Sequence, residues 1–158
     1  MSLAIRVDRL PSRGNGWSYK YARRQWNLVD NKDLCYHYLG DFDKAMLQTI
    51  TSEKNFNKTP VVEIWHNDGD QVLAYMRGDL LFVFNFSPTR SFTDYGFLVP
   101  TGAYSVVLDT DNKAFGGNGL NDDEMTHLTS YDPLYVNDRK EWLKLYLPAR
   151  TAIVLKKN

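Results

Sequence analysis

The side chains able to do chemistry in this chain are many but scattered. Asp and Glu total 19 of 158 residues, and only four are glutamates: Glu53, Glu63, Glu124 and Glu141. Cleaving or transferring a sugar needs two carboxylates held a short distance apart on a rigid frame. Glu53 falls in a polar linker, Glu63 on an expected strand, and Glu124 and Glu141 border a long unassigned loop. None stands in a context that marks a general acid, so the spacing assigns no catalytic residue. Asp109-Thr110-Asp111-Asn112-Lys113 opens like a calcium loop. Such a loop needs an oxygen ligand at the fifth position, glycine at the sixth and glutamate at the twelfth. Those positions hold Lys113, Ala114 and Leu120, so an acidic surface turn is expected instead. His37, His66 and His127 form no helical pair and show no zinc spacing, so neither a metal nor a cofactor is expected. Gly116-Gly117-Asn118-Gly119 lacks the dinucleotide spacing and reads as a flexible loop.

Composition narrows the partners. Lys and Arg also total 19, giving a formal net charge of +0, and no polybasic block concentrates a positive field. Nucleic acid is therefore not an expected partner. No apolar stretch is long enough to span a bilayer, so no membrane role is expected. Cys35 is the single cysteine, which excludes an internal disulfide and suits a reducing cytoplasm. Aromatics reach 14%, which fits either a core of large side chains or a surface that stacks on flat sugar faces. A neutral glucan fits the balanced charge. Met1-Ser2-Leu3 reads as an added start on a chain that begins inside a longer reading frame.

The elements that must position these residues change character near residue 60. Before it, Trp17 and Tyr21, then Ala22, Trp26 and Val29, follow helical spacing. Asp30-Asn31 breaks that run, a short helix through Leu34, Tyr38 and Leu39 is expected to stop at Gly40, and Asp41 to open another with Phe42, Ala45, Met46 and Ile50 buried. Residues 51–59 are polar and unperiodic, which marks a boundary. After Pro60 the period becomes two. Strands are expected at 61–65, 71–76, 80–86, 92–98, 104–109, 142–147 and 151–155, with an asparagine/aspartate-glycine hairpin turn at Asn67-Asp68-Gly69-Asp70. Residues 110–140 resist assignment. The fold class is mainly β: an antiparallel sandwich preceded by a short helical segment. In the run 80–86, both faces are apolar. Leu80, Phe82, Phe84 and Phe86 are expected to line the inside of the sandwich, with Leu81 and Val83 facing the amino-terminal helices, or a surface mostly outside the chain, on the other side.

Several ordered segments carry a resemblance. Gly14-Asn15-Gly16-Trp17-Ser18, Tyr21-Ala22-Arg23-Arg24-Gln25-Trp26, Leu28-Val29-Asp30, Tyr38-Leu39 and Phe42-Asp43 resemble the end of a 1,4-α-glucan (glycogen or starch) branching enzyme. So do residues 78–86, Thr93-Asp94-Tyr95, Val107-Leu108-Asp109-Thr110-Asp111, Phe115-Gly116-Gly117, Leu147-Pro148 and Arg150-Thr151-Ala152. The set runs in the family's order from Gly14 onward. Departures are Arg6 to Arg13, which keeps little beyond Pro11, together with Asn118, Gly96 and the 110–140 loop. The resemblance implies an enzyme of the α-amylase superfamily (glycoside hydrolase family 13), with residues 1–52 ending its (β/α)8 barrel and residues 60–158 forming the all-β C-terminal domain. It implies a nucleophilic aspartate and an acid/base glutamate in barrel strands upstream of this chain, so no catalytic residue is carried over. The missing barrel and an α-glucan become the expected partners. Trp17, Tyr19, Arg24 and Trp26 are the expected sugar contacts, if the chain makes any. A free-standing carbohydrate-binding module and a purely structural domain of an inactive α-amylase-like protein are the alternatives.

Overall fold

The computed structural model describes residues 27–131 and 140–158. The chain divides into two units, Met1–His37 and Tyr38–Asn158. In the first, a four-residue helix, α1 (Asn27–Asp30), is followed by a turn closed by Leu34 N–H on the Asn31 carbonyl (3.1 Å) and Asp33 N–H on Asn31 Oδ1 (3.0 Å).

The regular structure of the second unit is mostly β. Helix α2 (Tyr36–Ser52) leads to a 3-10 turn at Phe56–Lys58 and then, among the described residues, to nine strands. These are β1 (Val61–Asn67), β2 (Val72–Arg77), β3 (Leu80–Asn85), β4 (Phe92–Phe97), β5 (Ala103–Asp109), β6 (Thr126–Leu128), β7 (Ser130–Tyr131), β8 (Glu141–Leu147) and β9 (Thr151–Lys157). They form a six-stranded sheet in the order β1-β2-β3-β9-β5-β6 and a three-stranded sheet in the order β4-β8-β7, with every pairing antiparallel. The expected sandwich is thus present. The short strands β6 and β7 lie in the stretch that resisted assignment; three- and two-residue strands leave too few alternations to read.

The core between the sheets is built from Val72, Ala74, Met76, Leu81, Val83, Phe97, Val99, Tyr104, Leu143, Leu145, Leu147, Ile153 and Leu155, each at most 8% exposed. Period two puts Leu81, Val83 and Asn85 of β3 on this inner side, where they are at most 2% exposed. The expected assignment of the two faces of β3 is therefore reversed. Leu80, Phe82 and Phe84 point outward, and Leu80 and Phe82 join a second cluster with Val154 and Leu108 beneath Phe42, Ala45 and Met46 of α2, Phe56 and Phe115. The physical reason lies in Asn85: both faces are otherwise apolar, and its amide meets the buried carbonyls of Leu147 and Pro148 on the inner side, which fixes the face that turns inward.

Two local expectations also change. Helix α2 runs unbroken through Gly40, because glycine inside a helix costs only about 1 kcal/mol and the half-buried Phe42-Ala45-Met46 stripe, packed on Leu80, Leu108 and Val154, offsets it. In the β1–β2 turn, the left-handed residue is Gln71 (φ 59°), not Gly69. Asn67 sets that turn: its Oδ1 accepts from Asp70 N–H (3.0 Å) and its Nδ2 donates to Asp70 Oδ2 (3.0 Å). At the β2–β3 hairpin Arg77 faces Leu80, and Gly78 takes the positive φ (64°) that the first residue of a two-residue loop requires.

The polar stretch 51–59 is fastened to the outer face. Lys156 Nζ donates to Glu53 Oε1 (2.5 Å), Arg77 Nε donates to the Thr59 carbonyl (3.1 Å), and the Arg77 guanidinium lies 4.3 Å from the centre of the Phe56 ring.

Candidate functional site

Two places in the second unit gather polar or aromatic side chains in an arrangement that is more than packing. The first is the loop after β5. Asp109 and Asp111 are 2% and 5% exposed, so this is not the surface turn expected from sequence. Asp111 Oδ1 accepts from Asn118 N–H (2.9 Å) and Asn118 Nδ2 (3.2 Å), and its Oδ2 accepts from Leu120 N–H (2.9 Å). Asp109 accepts from Asp111 N–H (2.8 Å) and Asn121 Nδ2 (2.8 Å), and Asn112 Nδ2 donates to Asp123.

Burial pushes the Asp111 carboxyl up, but the amide donors of Asn118, Leu120 and Gly119 outweigh it and hold the group below the usual carboxylate range. Asp109 is moved the other way: burial raises it, the Asp111 and Asn121 donors only partly oppose that, and the charges of Asp123 and Asp111 add to the rise. The glycines are part of the knot. A Cβ at Gly117 would collide with the Asp111 backbone, and Gly116 (φ 78°) lies against the Tyr38 ring. Every role here is to hold a loop. The missed signal was the Asp-x-Asp pattern followed by Asn and Gly, which is also that of side-chain-closed turns.

The second place is the outer face of the six-stranded sheet, at the end that α2 leaves uncovered. Cross-strand register sets Tyr75 of β2 opposite Phe82 of β3, and Leu73 opposite Phe84. Their rings form a row. Tyr75 stacks on Phe82 (4.8 Å between centres, 14° between planes) and on Phe84 (5.9 Å, 20°), and Phe84 stacks on Phe86 (5.5 Å, 4°). Exposure rises along the row. Leu80 is 0% exposed, Phe82 and Phe84 are half-buried, and Phe86 is 60% exposed. Phe86 is held in place by its own backbone, whose N–H donates to the Gln71 carbonyl (2.9 Å). Beyond it lies a groove of about 340 Å³ bordered by Glu63, His66, Asp68, Gln71 and Leu73. His66 Nε2 and Asp68 Oδ1 are 2.9 Å apart at its rim. Residues of this kind can hold a ligand by ring stacking and hydrogen bonds.

The sugar contacts expected at Trp17, Tyr19, Arg24 and Trp26 lie outside the described residues. Of the three histidines, His66 borders the groove, His37 Nδ1 is 2.8 Å from the Leu34 carbonyl, and His127 is half-buried on β6. Glu53 pairs with Lys156, and Glu141 Oε2 accepts from Thr129 Oγ1 (2.7 Å). No helix among the described residues is long and apolar enough to cross a membrane.

Two antiparallel sheets with one outer face capped by a preceding helix define a class that sequence comparison identifies. Residues 64–158 match the family described as alpha amylase, C-terminal all-beta domain, and the chain belongs to that family. Its relatives are more specific. It is 42% identical over 149 residues to the 1,4-alpha-glucan-branching enzyme of Eremothecium gossypii, a match covering 94% of this chain and 21% of that protein. It is 45% identical to the enzyme of the same name from Candida glabrata and 44% identical to that of Emericella nidulans, each match covering 92% of this chain and 20% and 21% of those proteins. The resemblance to the C-terminal part of a branching enzyme is thereby borne out. The chain spans about a fifth of the length of the curated relatives it matches.

Proposed function

We propose that this chain is the supporting end of a 1,4-α-glucan branching enzyme whose chemistry is performed by a barrel outside it. On this reading residues 1–52 finish the barrel, residues 60–158 are the C-terminal domain, and the sandwich stabilises the barrel while helping to hold the α-glucan. The parent reaction cleaves an α-1,4 bond through a glycosyl-enzyme intermediate and transfers the chain to a 6-hydroxyl. That needs two positioned carboxylates and retains configuration. The protein would work in the cytoplasm, where its glucan is made. Trp17, Tyr19, Arg24 and Trp26 remain the sugar contacts proposed for the first segment.

The observation that carries this reading is the coverage. Branching enzymes match 92–94% of the chain, while the chain supplies only about a fifth of their length. The buried carboxylates support it too, since Asp109 and Asp111 accept hydrogen bonds from their own loop. An iodine-staining branching assay tests it. The chain alone is expected to leave amylose staining unchanged, and the same chain joined in frame to an upstream barrel to shift it. Branching by the chain alone sinks the proposal.

A further inference from the structure

We infer that Asn118 is a site of spontaneous deamidation, gated by the loop that Asp111 closes, and that reaction there leaves the loop open. The chemistry belongs to the pair Asn118-Gly119 and does not depend on any glucan.

Both residues of the pair are exposed, so water and hydroxide reach them. Glycine has no Cβ to shield the backbone nitrogen that follows Asn118. Once that nitrogen loses its proton it can bond to Cγ of Asn118. The Cγ–Nδ2 bond then breaks, and the amide nitrogen leaves as ammonia. Water opens the resulting cyclic imide at either of its carbonyls, giving aspartate or isoaspartate at position 118. Water is the only co-reactant.

The closed loop restrains both reacting groups. Gly119, at φ 67°, donates its N–H to the Asp111 carbonyl (2.7 Å), so the nucleophile keeps its proton in a short bond. The side chain of Asn118 is drawn back over its own backbone, because its N–H and its Nδ2 share Asp111 Oδ1 (2.9 and 3.2 Å). Attack requires both sets of bonds to part, so the rate follows the population of the opened loop. The product cannot restore the closed form. Aspartate at 118 sets an acceptor where Nδ2 donated, against a carboxylate that is 5% exposed. Isoaspartate adds a methylene to the main chain, which moves the Gly119 and Leu120 N–H groups off the Asp111 carbonyl and Oδ2 that they now meet at 2.7 and 2.9 Å.

The test holds the full 158-residue chain at mildly alkaline pH, with and without denaturing urea, and reads the change from amide to acid by peptide mass mapping. In urea, Asn118 is expected to react as fast as Asn15, which also precedes a glycine. In the folded chain it is expected to react at least about tenfold more slowly, and Asp111→Asn to speed that folded-state reaction about tenfold by weakening the closed loop. Equal rates at Asn118 with and without urea overturn the gate, and so does a rate that Asp111→Asn leaves unchanged. Amide hydrogen exchange at Leu81 and Val83 is expected to stay slow in that variant; exchange there as fast as at Gly119 would mean that the whole sandwich opens and the loop is no gate. Asn118→Asp is expected to remove the exchange protection of the Gly119 and Leu120 amides. Retained protection of both overturns the claim that the product leaves the loop open.

Discussion

The two faces of the six-stranded sheet are made from the same strands, yet they are held in different ways. The inner face is uniform: Val72, Ala74, Leu81, Val83, Ile153 and Leu155 are each at most 4% exposed and meet another sheet. The outer face is graded. It is sealed by α2 and Phe56 over Leu80, Val154 and Leu108, then opens through Phe82, Tyr75 and Phe84 to Phe86. The inner face is where stability resides, because full burial of an aliphatic side chain contributes about 1.5–3 kcal/mol. The outer face keeps its larger rings partly wet, which makes part of it available for recognition. What separates a scaffold from a contact surface here is the size of the cover, not the hydrophobicity of the strand.

The sharpest break in that contrast is a polar residue on the inner side. Asn85 is 2% exposed. Its Nδ2 donates to the carbonyls of Arg90 (2.9 Å), Leu147 (3.1 Å) and Pro148 (3.0 Å), and its Oδ1 accepts from Ser87 N–H (3.0 Å). One amide thereby ties β3 to the turns before β4 and after β8. Asn85→Asp replaces that donor with an acceptor facing three carbonyls. The expected loss is at least about 3 kcal/mol at pH 7, read from the urea midpoint. A loss under about 1 kcal/mol would show that the amide is not the tie.

Next in size is the comparison of neighbours on one strand. Leu81→Ala empties a site between the sheets and is expected to cost about 3 kcal/mol. Phe84→Ala removes a larger ring from the half-covered side and is expected to cost only about 1 kcal/mol. Equal losses would mean that the outer face is as load-carrying as the inner one.

The Asp109–Asp111 loop supplies a pH test. Asp111 is held below its ordinary pKa in the folded chain, so the unfolded chain binds more protons. Its contribution is present above the unfolded value, near 3.8, and is lost as pH falls through the lower folded value. Asp109 has the opposite sign: its raised pKa makes it costly above that same unfolded value and least costly in acid. Asp111→Asn is expected to lower stability at pH 7 by about 1–2 kcal/mol and to flatten the acid limb below about pH 4. Asp109→Asn is expected to leave that limb unchanged and to remove the loss of stability that Asp109 causes as pH rises above about 4, because its raised pKa places its titration there. Thermal melts from pH 3 to pH 7 will show whether the two slopes diverge.

How much of this was legible follows from what each pattern encodes. Seven strands and their antiparallel character show in sequence because each spans five or more residues of alternating pattern, or is closed by Gly78-Asp79 or Pro148-Ala149; the order β3-β9-β5 within the larger sheet does not. The faces of β3 were not legible, since Leu80, Phe82 and Phe84 and their neighbours Leu81 and Val83 are all apolar; only Asn85 broke the symmetry. Its amide was the clue that this face meets buried carbonyls. Phe86 as an open ring was hidden for the same reason: the alternation extends through it, but the cover stops short of it. The buried Asp109 and Asp111 resembled surface acids because most of their partners are backbone amides, and the Asp-x-Asp pattern followed by Asn and Gly was the one signal of a side-chain-closed turn.

The smallest effect bears on the cover itself. Helix α2 carries Gly40 in its second turn, exposed to solvent, with Tyr38 packed near Gly116 and Phe42 edge-on to Phe115 (5.4 Å, 83°). Glycine at an exposed helical position destabilises by about 0.5–1 kcal/mol relative to alanine, through the freedom it retains when unfolded. Gly40→Ala is therefore expected to raise the urea midpoint by that amount and to leave the Phe86 groove unchanged. If α2 is instead a weak element that ends at Gly40 in solution, as glycine alone would suggest, the substitution will raise helical circular dichroism by several residues' worth. A gain in stability with unchanged helicity keeps α2 as one preformed cover, and the graded exposure of the outer face then follows from where that helix ends.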